Sequence, residues 1–293
     1  MPLNLYARPA GLKTELQLTG LTSTTDATFS TIIERASRFI DAQTYRHFYS
    51  RVATIELGAG GPPVWSQQER RYIHRLFTDV DVVSVTSLKV DEGGDGTFEI
   101  TMASGSDYWT FPQASASPTK PIRAFDIVAG RSSAPQITSW PTSPRRVELI
   151  GIIGYDQETT AAGTVDGEIA SSVTALVMDA GHGIDVGDTI IAGSEQCYVS
   201  AYDSGTETLT ITRSVNGTTA ATISDGAAIV RRVFPAQIVQ ATMLEAQRIY
   251  LEMNSGNAGV AMVTDGGPSS FRASWPAILN TIRDFRVAPA MAV

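Results

Sequence analysis

The sequence predicts an α+β fold: a helical core with β-hairpins and an inserted, small all-β barrel. Two stretches with helical period, a run of short turn-bounded strands between them, and a segregated charge support this prediction. The helical period appears first at Phe29, Ile32, Ile33, Ala36, Phe39 and Ile40. It returns at Val239, Met243, Ala246, Tyr250 and Met253, with Ile238 and Ile249 widening the stripe. Spacings of three and four put each set on one helix face. Between them, residues 160–231 alternate in short β-rich runs separated by Gly181, Gly183, Gly187, Gly193, Gly205 and Asn216-Gly217. That punctuation is the mark of a small barrel or sandwich. The chain has 293 residues and a formal charge of −8. Residues 156–232 hold eleven acids against three arginines and no lysine, which accounts for the whole excess. The predicted organisation is a discontinuous core, 1–155 with 233–293, and an inserted acidic β-barrel, 156–232.

The elements follow in order. Residues 1–25 are polar and aperiodic, and read as an arm. Asp26 is the expected N-cap of the first helix, which is expected to end between Asp41 and Thr44. Val52 to Leu57 is a strand, closed by Gly58-Ala59-Gly60-Gly61-Pro62-Pro63. Arg70 to Phe77 and Val82 to Val90 read as two strands, the second pairing with Thr97 to Met102 across an Asp- and Gly-rich turn. Residues 112–146 carry six prolines and read as a long excursion with little regular structure. Val147 to Tyr155 is a central strand. After the barrel, Pro235 opens a helix that Asn254-Ser255-Gly256-Asn257 ends. A linker to Ser274 precedes a last short helix with Ile278, Leu279, Ile282 and Phe285 on one face.

The composition excludes several chemistries. One cysteine, Cys197, allows no intrachain disulfide and no multi-Cys metal site. His47, His74 and His182 have no ligand spacing. No phosphate-binding loop or nucleophile elbow occurs. Asp91 to Gly96 faintly resembles a calcium loop, but its third position is Gly93 and its twelfth Met102, so a plain turn is expected. Asp185 and Asp188 read as solvated turn carboxylates, His182 as a surface-loop residue, and Cys197 as a buried structural thiol. Arg70-Arg71 and Arg145-Arg146 are pairs, not a basic stripe, which with the overall acidity argues against tight nucleic-acid binding. No catalytic residues, metal or cofactor are expected, and the chain does not read as an enzyme. No apolar run reaches the ~18 residues of a membrane span. Residues 1–8 lack a signal-peptide pattern, so assembly in a cytoplasm is expected. Nineteen of the 22 basic residues are Arg. Bidentate contacts and GC-rich codon usage both produce that bias.

The order of segments resembles the head–tail connector (adaptor) proteins of tailed bacteriophages. The residues that carry this are Ile33-Glu34-Arg35-Ala36-Ser37-Arg38-Phe39-Ile40-Asp41 with Thr44-Tyr45-Arg46-His47-Phe48, and then Asp81 to Asp91 with Gly94-Asp95-Gly96, Asp107-Tyr108 and Pro112. Val147-Glu148-Leu149 with Gly151 and Gly154-Tyr155 follows, then Pro235 to Tyr250, then Ile278-Leu279-Asn280 with Phe285-Arg286. The β segment is similar to a barrel insert of phage virion proteins at Val186 to Ile190, Ser194-Glu195, Leu209 to Arg213, Asn216-Gly217-Thr218 and Gly226-Ala227. The insert departs from the pattern, since many adaptors have a short loop there.

The resemblance implies a helical adaptor core in a virion structural protein of the neck. About twelve copies would form a ring between the portal protein and the tail or its terminator or nozzle proteins. The ring would extend the channel and pass DNA without binding it specifically. It also implies that the C-terminal segment grips the portal. Phe271, Trp275, Ile282, Phe285 and Arg286 are the expected anchors, because aromatics and Arg dominate hot spots. The insert is expected to point outward as a collar. The alternative is another tail, baseplate or fibre-attachment structural protein with a binding β-domain.

Overall fold

A computed structural model describes residues 4–18, 23–66, 71–112, 120–128, 137–155, 158–255, 260–263, 267–270 and 274–287. In chain order the elements are α1 (Pro9–Glu15), α2 (Ser23–Thr44), β1 (Arg51–Leu57), β2 (Val64–Ser66), β3 (Arg71–Val90), β4 (Ile100–Met102), β5 (Trp109–Phe111), β6 (Ile122–Val128) and β7 (Val147–Ile153). They continue with β8 (Thr159–Thr164), β9 (Ala175–Val177), β10 (Thr189–Ala192), β11 (Glu195–Asp203), β12 (Thr208–Thr212), β13 (Ala228–Arg232), α3 (Ala236–Ser255), β14 (Val260–Val263), β15 (Gly267–Ser270) and α4 (Ser274–Thr281). The protein is therefore mostly β, and the expected α+β fold with a helical adaptor core is overturned. Among the described residues there are four α-helices, set against antiparallel sheets of seven, six and two strands.

The chain divides into two compact units, Met1–Tyr45 with Glu158–Pro289, and Arg46–Gln157 with Ala290–Val293. In the second unit the sheet order is β1-β7-β3-β6-β5, with β2 and β4 also paired to β3. The two strands expected at 70–77 and 82–90 are one strand, β3, of 20 residues. It pairs with β6 from Ile73 to Val82 and with β7 from Val82 to Val90. The β6 register breaks between Phe77 and Val82, and Asp81 in that interval is buried, 4% exposed. Its carboxylate meets Arg123 at 2.7 Å and Arg46 at 3.4 Å. Ile122-Arg123-Ala124-Phe125-Asp126-Ile127-Val128, inside the expected excursion, is β6, with Ala124, Phe125 and Ile127 in the core. Its buried residues lie on both faces of the strand, so no period-two signal marks it among the prolines. Leu57, Leu76, Leu88, Phe125, Ile127, Trp140 and Leu149 centre the core of this unit.

Two glycines of the adaptor-like strand are required by packing. A Cβ at Gly151 would stand 2.2 Å from the Ser84 carbonyl oxygen of β3. Gly154 has φ +142°, and a Cβ there would stand 2.4 Å from the Tyr49 oxygen.

In the first unit the order is β8-β13-β10-β11-β12-β9. A bridge between Val165 and Met178 joins the two edge strands, so the sheet closes into a small barrel. Its core includes Leu176, Ile190, Cys197, Val199, Leu209 and Ile229. The helices have a core of their own, in which Phe29, Ile32, Ile33 and Ala36 of α2 meet Ala246 and Ile249 of α3. Tyr198 and Val215 of the barrel segment belong to it as well.

The expected N-terminal arm is not an arm. Leu5 and Tyr6 are buried, and Pro9 opens α1. The Tyr6 hydroxyl donates to Asp41 at 2.5 Å, and its amide donates to Ser37 Oγ at 3.1 Å. Asn4 exchanges amide hydrogen bonds with Asn216, and Arg8 reaches Asp188. Residues 4–8 thus strap the barrel to α2. The second helix starts at Ser23, so Asp26 lies inside it rather than capping it.

Inside the barrel, Glu195 is fully buried. It accepts from Arg213 Nε at 2.8 Å and Nη2 at 2.6 Å, and from the amides of Ser214 and Ala221 at 3.0 Å each. Arg213 also donates to the carbonyls of Ala170 and Val173. Burial opposes ionisation of Glu195, but Arg213 and the two amides outweigh it and hold the carboxyl at about 2. Because the folded-state value lies below the usual 4.5, this contribution is fully present above pH ~4.5 and is lost as pH falls toward 2. Acid titration of the fold should show a loss on the order of 3 kcal/mol across that window. Glu195→Gln should cost about 3–5 kcal/mol at neutral pH, because Arg213 is left buried and unpaired. It should also flatten the acid limb, measured by denaturant unfolding against pH. Gly151→Ala should destabilise by about 1–3 kcal/mol through the clash with β3, read in the same assay.

Candidate docking surfaces

The sequence-marked chemical groups prove to be parts of the scaffold. Cys197 is buried, and burial together with the Glu195 carboxylate pushes its thiol up to about 12, which leaves no thiolate at neutral pH. His182 is buried rather than on the surface, with its side chain 1% exposed. Its Nδ1 accepts from the Ile184 amide at 3.1 Å, so the proton sits on Nε2, which faces Glu207 Oε2 at 3.2 Å. Tyr202 packs edge-on against the imidazole. Asp188 is also buried, not solvated, and is held by Arg8 Nε at 2.9 Å and Nη2 at 2.5 Å.

Asp91, Asp95 and Glu99 bring carboxylate oxygens within 4.8 Å of one another. Asp91 accepts from the amides of Gly94 and Gly96, and Arg146 lies beside it. Burial opposes its ionisation, and these amides and Arg146 hold it below the usual carboxylate range. Asp95 accepts from the Thr97 amide. The arrangement is a turn closed by its own carboxylates.

The expected C-terminal anchors fall in different places. Phe271 lies outside the described residues, and Trp275 is in α4 with its side chain outside them. Ile282 is fully buried, as is Ile278, and α4 packs against α3. Phe285 is half-buried and Arg286 exposed. Arg286 Nε donates to the Gln43 carbonyl at 3.0 Å, and the Val287 amide donates to the Thr44 carbonyl at 3.0 Å. These carbonyls are among the orphan acceptors at the end of α2, where a cation is favoured. The C-terminal segment therefore caps the opening helix.

Two surfaces were not legible in the sequence. One is the outer face of the second unit's sheet. There Phe77 and Phe111 are exposed, and the Arg75 guanidinium lies 4.0 Å from the Phe111 ring centre while paired with Asp126 at 2.7 Å. The other is a groove in the first unit. It consists of two adjoining cavities of about 520 and 570 Å³ that share Glu15, Phe234, Val239 and Met243.

No protein-family model matches the chain, and no curated protein matches it. One solved structure, described as "Neck of empty GTA particle computed with C6 symmetry", is similar over 98% of this chain and 93% of that chain. The identity is 15% and the TM-score 0.42. Chains this far apart share too little superposable backbone for a role to pass from one to the other. No helix among the described residues is long and apolar enough to cross a membrane.

The cap and the buried side chain separate experimentally. Ile282→Ala should cost about 2–5 kcal/mol of stability. Arg286→Ala should cost no more than about 1 kcal/mol, as expected for an exposed charge at a helix end. Thermal denaturation of the two variants measures the difference.

Proposed function

We propose that the chain is a virion structural protein of a phage-like particle, a head-to-tail adaptor that forms a ring between portal and tail and extends the DNA channel. The resemblance of its segments to adaptors carries this reading. One structural observation supports it most: segments that carry the resemblance, though far apart in sequence, pack against one another. The Phe285-Arg286 ending caps the Thr44 end of the opening helix. The Pro235 to Tyr250 helix stacks Tyr250 on Phe29 of that helix at 5.6 Å. The strand with Gly151 and Gly154 pairs with the 82–90 stretch of β3 from Ile153 to Val147. A scaffold shared with adaptors would preserve such contacts, whereas chance motif matches have no reason to meet.

In this reading the half-buried Phe285, the exposed Arg286 and the chain around Phe271 and Trp275 form the portal grip, and Ile282 holds α4 in place for them. The barrel lies on the outside of the ring, since a bulky insert crowds a narrow lumen. The ring holds about twelve copies, in keeping with the adaptor resemblance.

Particles assembled without the chain should contain DNA-filled heads that carry no tails, and adding the purified protein should restore tail joining. Phe285→Ala with Arg286→Glu should reduce binding to such heads at least tenfold, with a melting temperature within a few degrees of the parent's. Tails that join heads in the absence of the chain would overturn the adaptor reading. A density map with the barrel lining the pore would overturn the outward placement.

A further inference from the structure

The groove beside α3 has an apolar body and a charged border, and one of its charged groups lacks a side-chain partner. Leu5, Phe234, Val239 and Met243 form its body, and Arg231 of β13 stands at its rim. Arg231 is half-buried. Of the other arginines that line the groove, Arg8 is bidentate on Asp188 and Arg232 is also engaged. The Arg231 backbone pairs with Ile190 and Thr160, but its guanidinium makes no hydrogen bond or ion pair within the described residues. A half-desolvated guanidinium above an apolar trough fits an occupant that carries a carboxylate next to apolar side chains.

The same helix carries such a group at its other end. Leu251 is 39% exposed and Met253 is 57% exposed, large apolar side chains on a surface where such residues are normally covered. Glu252 lies between them in sequence and donates nothing; its Oε1 accepts from Arg248 Nη1 at 2.6 Å. A carboxylate offers about four lone-pair sites, so one carboxylate serves several donors at once.

We propose that the groove at the start of α3 receives the Leu251-Glu252-Met253 end of α3 from a second copy of this chain, with Glu252 of that copy meeting Arg231. Groove and knob are different patches on one protomer, so the contact is heterologous. Repetition of a heterologous contact produces a ring where the rotation closes. The contact deepens the adaptor reading and rests on it, because it supplies the lateral joint that a ring needs.

The test is a pair of cysteines, Arg231→Cys and Met253→Cys, in the full chain. The native Cys197 is fully buried and does not compete. A short bis-maleimide is applied to the concentrated purified protein and to particles that contain it. The double variant is expected to give a ladder of linked chains on a denaturing gel, and each single variant is expected to give none beyond a dimer. A mixture of Arg231→Glu and Met253→Glu proteins leaves one intact contact between unlike copies. It should sediment as a dimer that does not grow, whereas each variant alone stays monomeric. A missing ladder in both preparations overturns the contact, even where microscopy places the chain in the neck. A chain absent from necks overturns the adaptor reading instead, and the ladder in purified protein still decides whether the contact exists.

Discussion

A carboxylate taken out of water needs a cation held in fixed geometry, and this fold depends on meeting that demand repeatedly. Asp81 is held by Arg46 and Arg123, Asp126 by Arg75, Asp188 by Arg8, Glu195 by Arg213, and Glu245 by Arg248. Each of these carboxylates is buried or nearly so. Each partner is Arg, whose planar fork meets two oxygens at once and stays charged when partly desolvated. The Lys89 to Glu148 bridge, by contrast, is long at 3.8 Å and partly exposed. The excess of Arg over Lys therefore has a structural use in this chain. Some of these pairs sit at junctions: the register break of β3, the meeting of strap and barrel, and the loops around the barrel. Replacing them with apolar residues could leave stability unchanged. Their contribution is positional: Asp81 fixes the register break of β3, Asp188 ties the strap to the barrel and Glu195 gathers barrel loops, while Asp126 reinforces the β3–β6 ladder and Glu245 lies within α3.

Much of the local structure was legible in residue pattern. The two long helices follow from three- and four-residue spacing, and the barrel strands from alternation between glycine-bearing turns. The balance of elements was not legible. Prolines around 112–146 outweighed the apolar content of Ile122 to Val128, whose buried residues fall on both faces and give no alternation, although Pro sits comfortably beside a strand. The segment 70–90 showed two apolar runs with two acids, Asp79 and Asp81, between them. Only a three-dimensional partner, Arg123, explains how Asp81 continues inside one strand. The strap was hidden for the same reason, because Leu5 and Tyr6 have no period and their burial depends on Ser37, Asp41 and Asn216 far along the chain.

The site residues show the same limit. Aromatic and Arg content near the C-terminus pointed to an anchor, but residue type does not say which surface a side chain faces. Ile282 and Arg286 sit four residues apart, yet one is fully buried and the other caps the end of α2 from outside. Period places Ile282 on the apolar face with Ile278. Nothing in the sequence ties Arg286 to Gln43, 243 positions away. Pattern reveals which residues share a face, and long-range capping stays invisible until the chain is folded.

The acidity of the barrel segment has a physical origin that needs no partner. Glu195 is consumed internally, and Asp188 is neutralised by Arg8 from outside the segment. Several of the remaining acids close turns. Asp225 accepts from the Gly167 amide, Asp203 from Gly205 and from the Thr206 hydroxyl, Asp185 from Val186, and Asp179 from the Thr164 hydroxyl. A barrel of short strands needs many turns, and Asp is a favoured turn residue because its oxygens satisfy exposed amides. The charge thus follows in part from folding a small barrel of short strands, whose loops and turns use Asp oxygens to accept from exposed amides and hydroxyls.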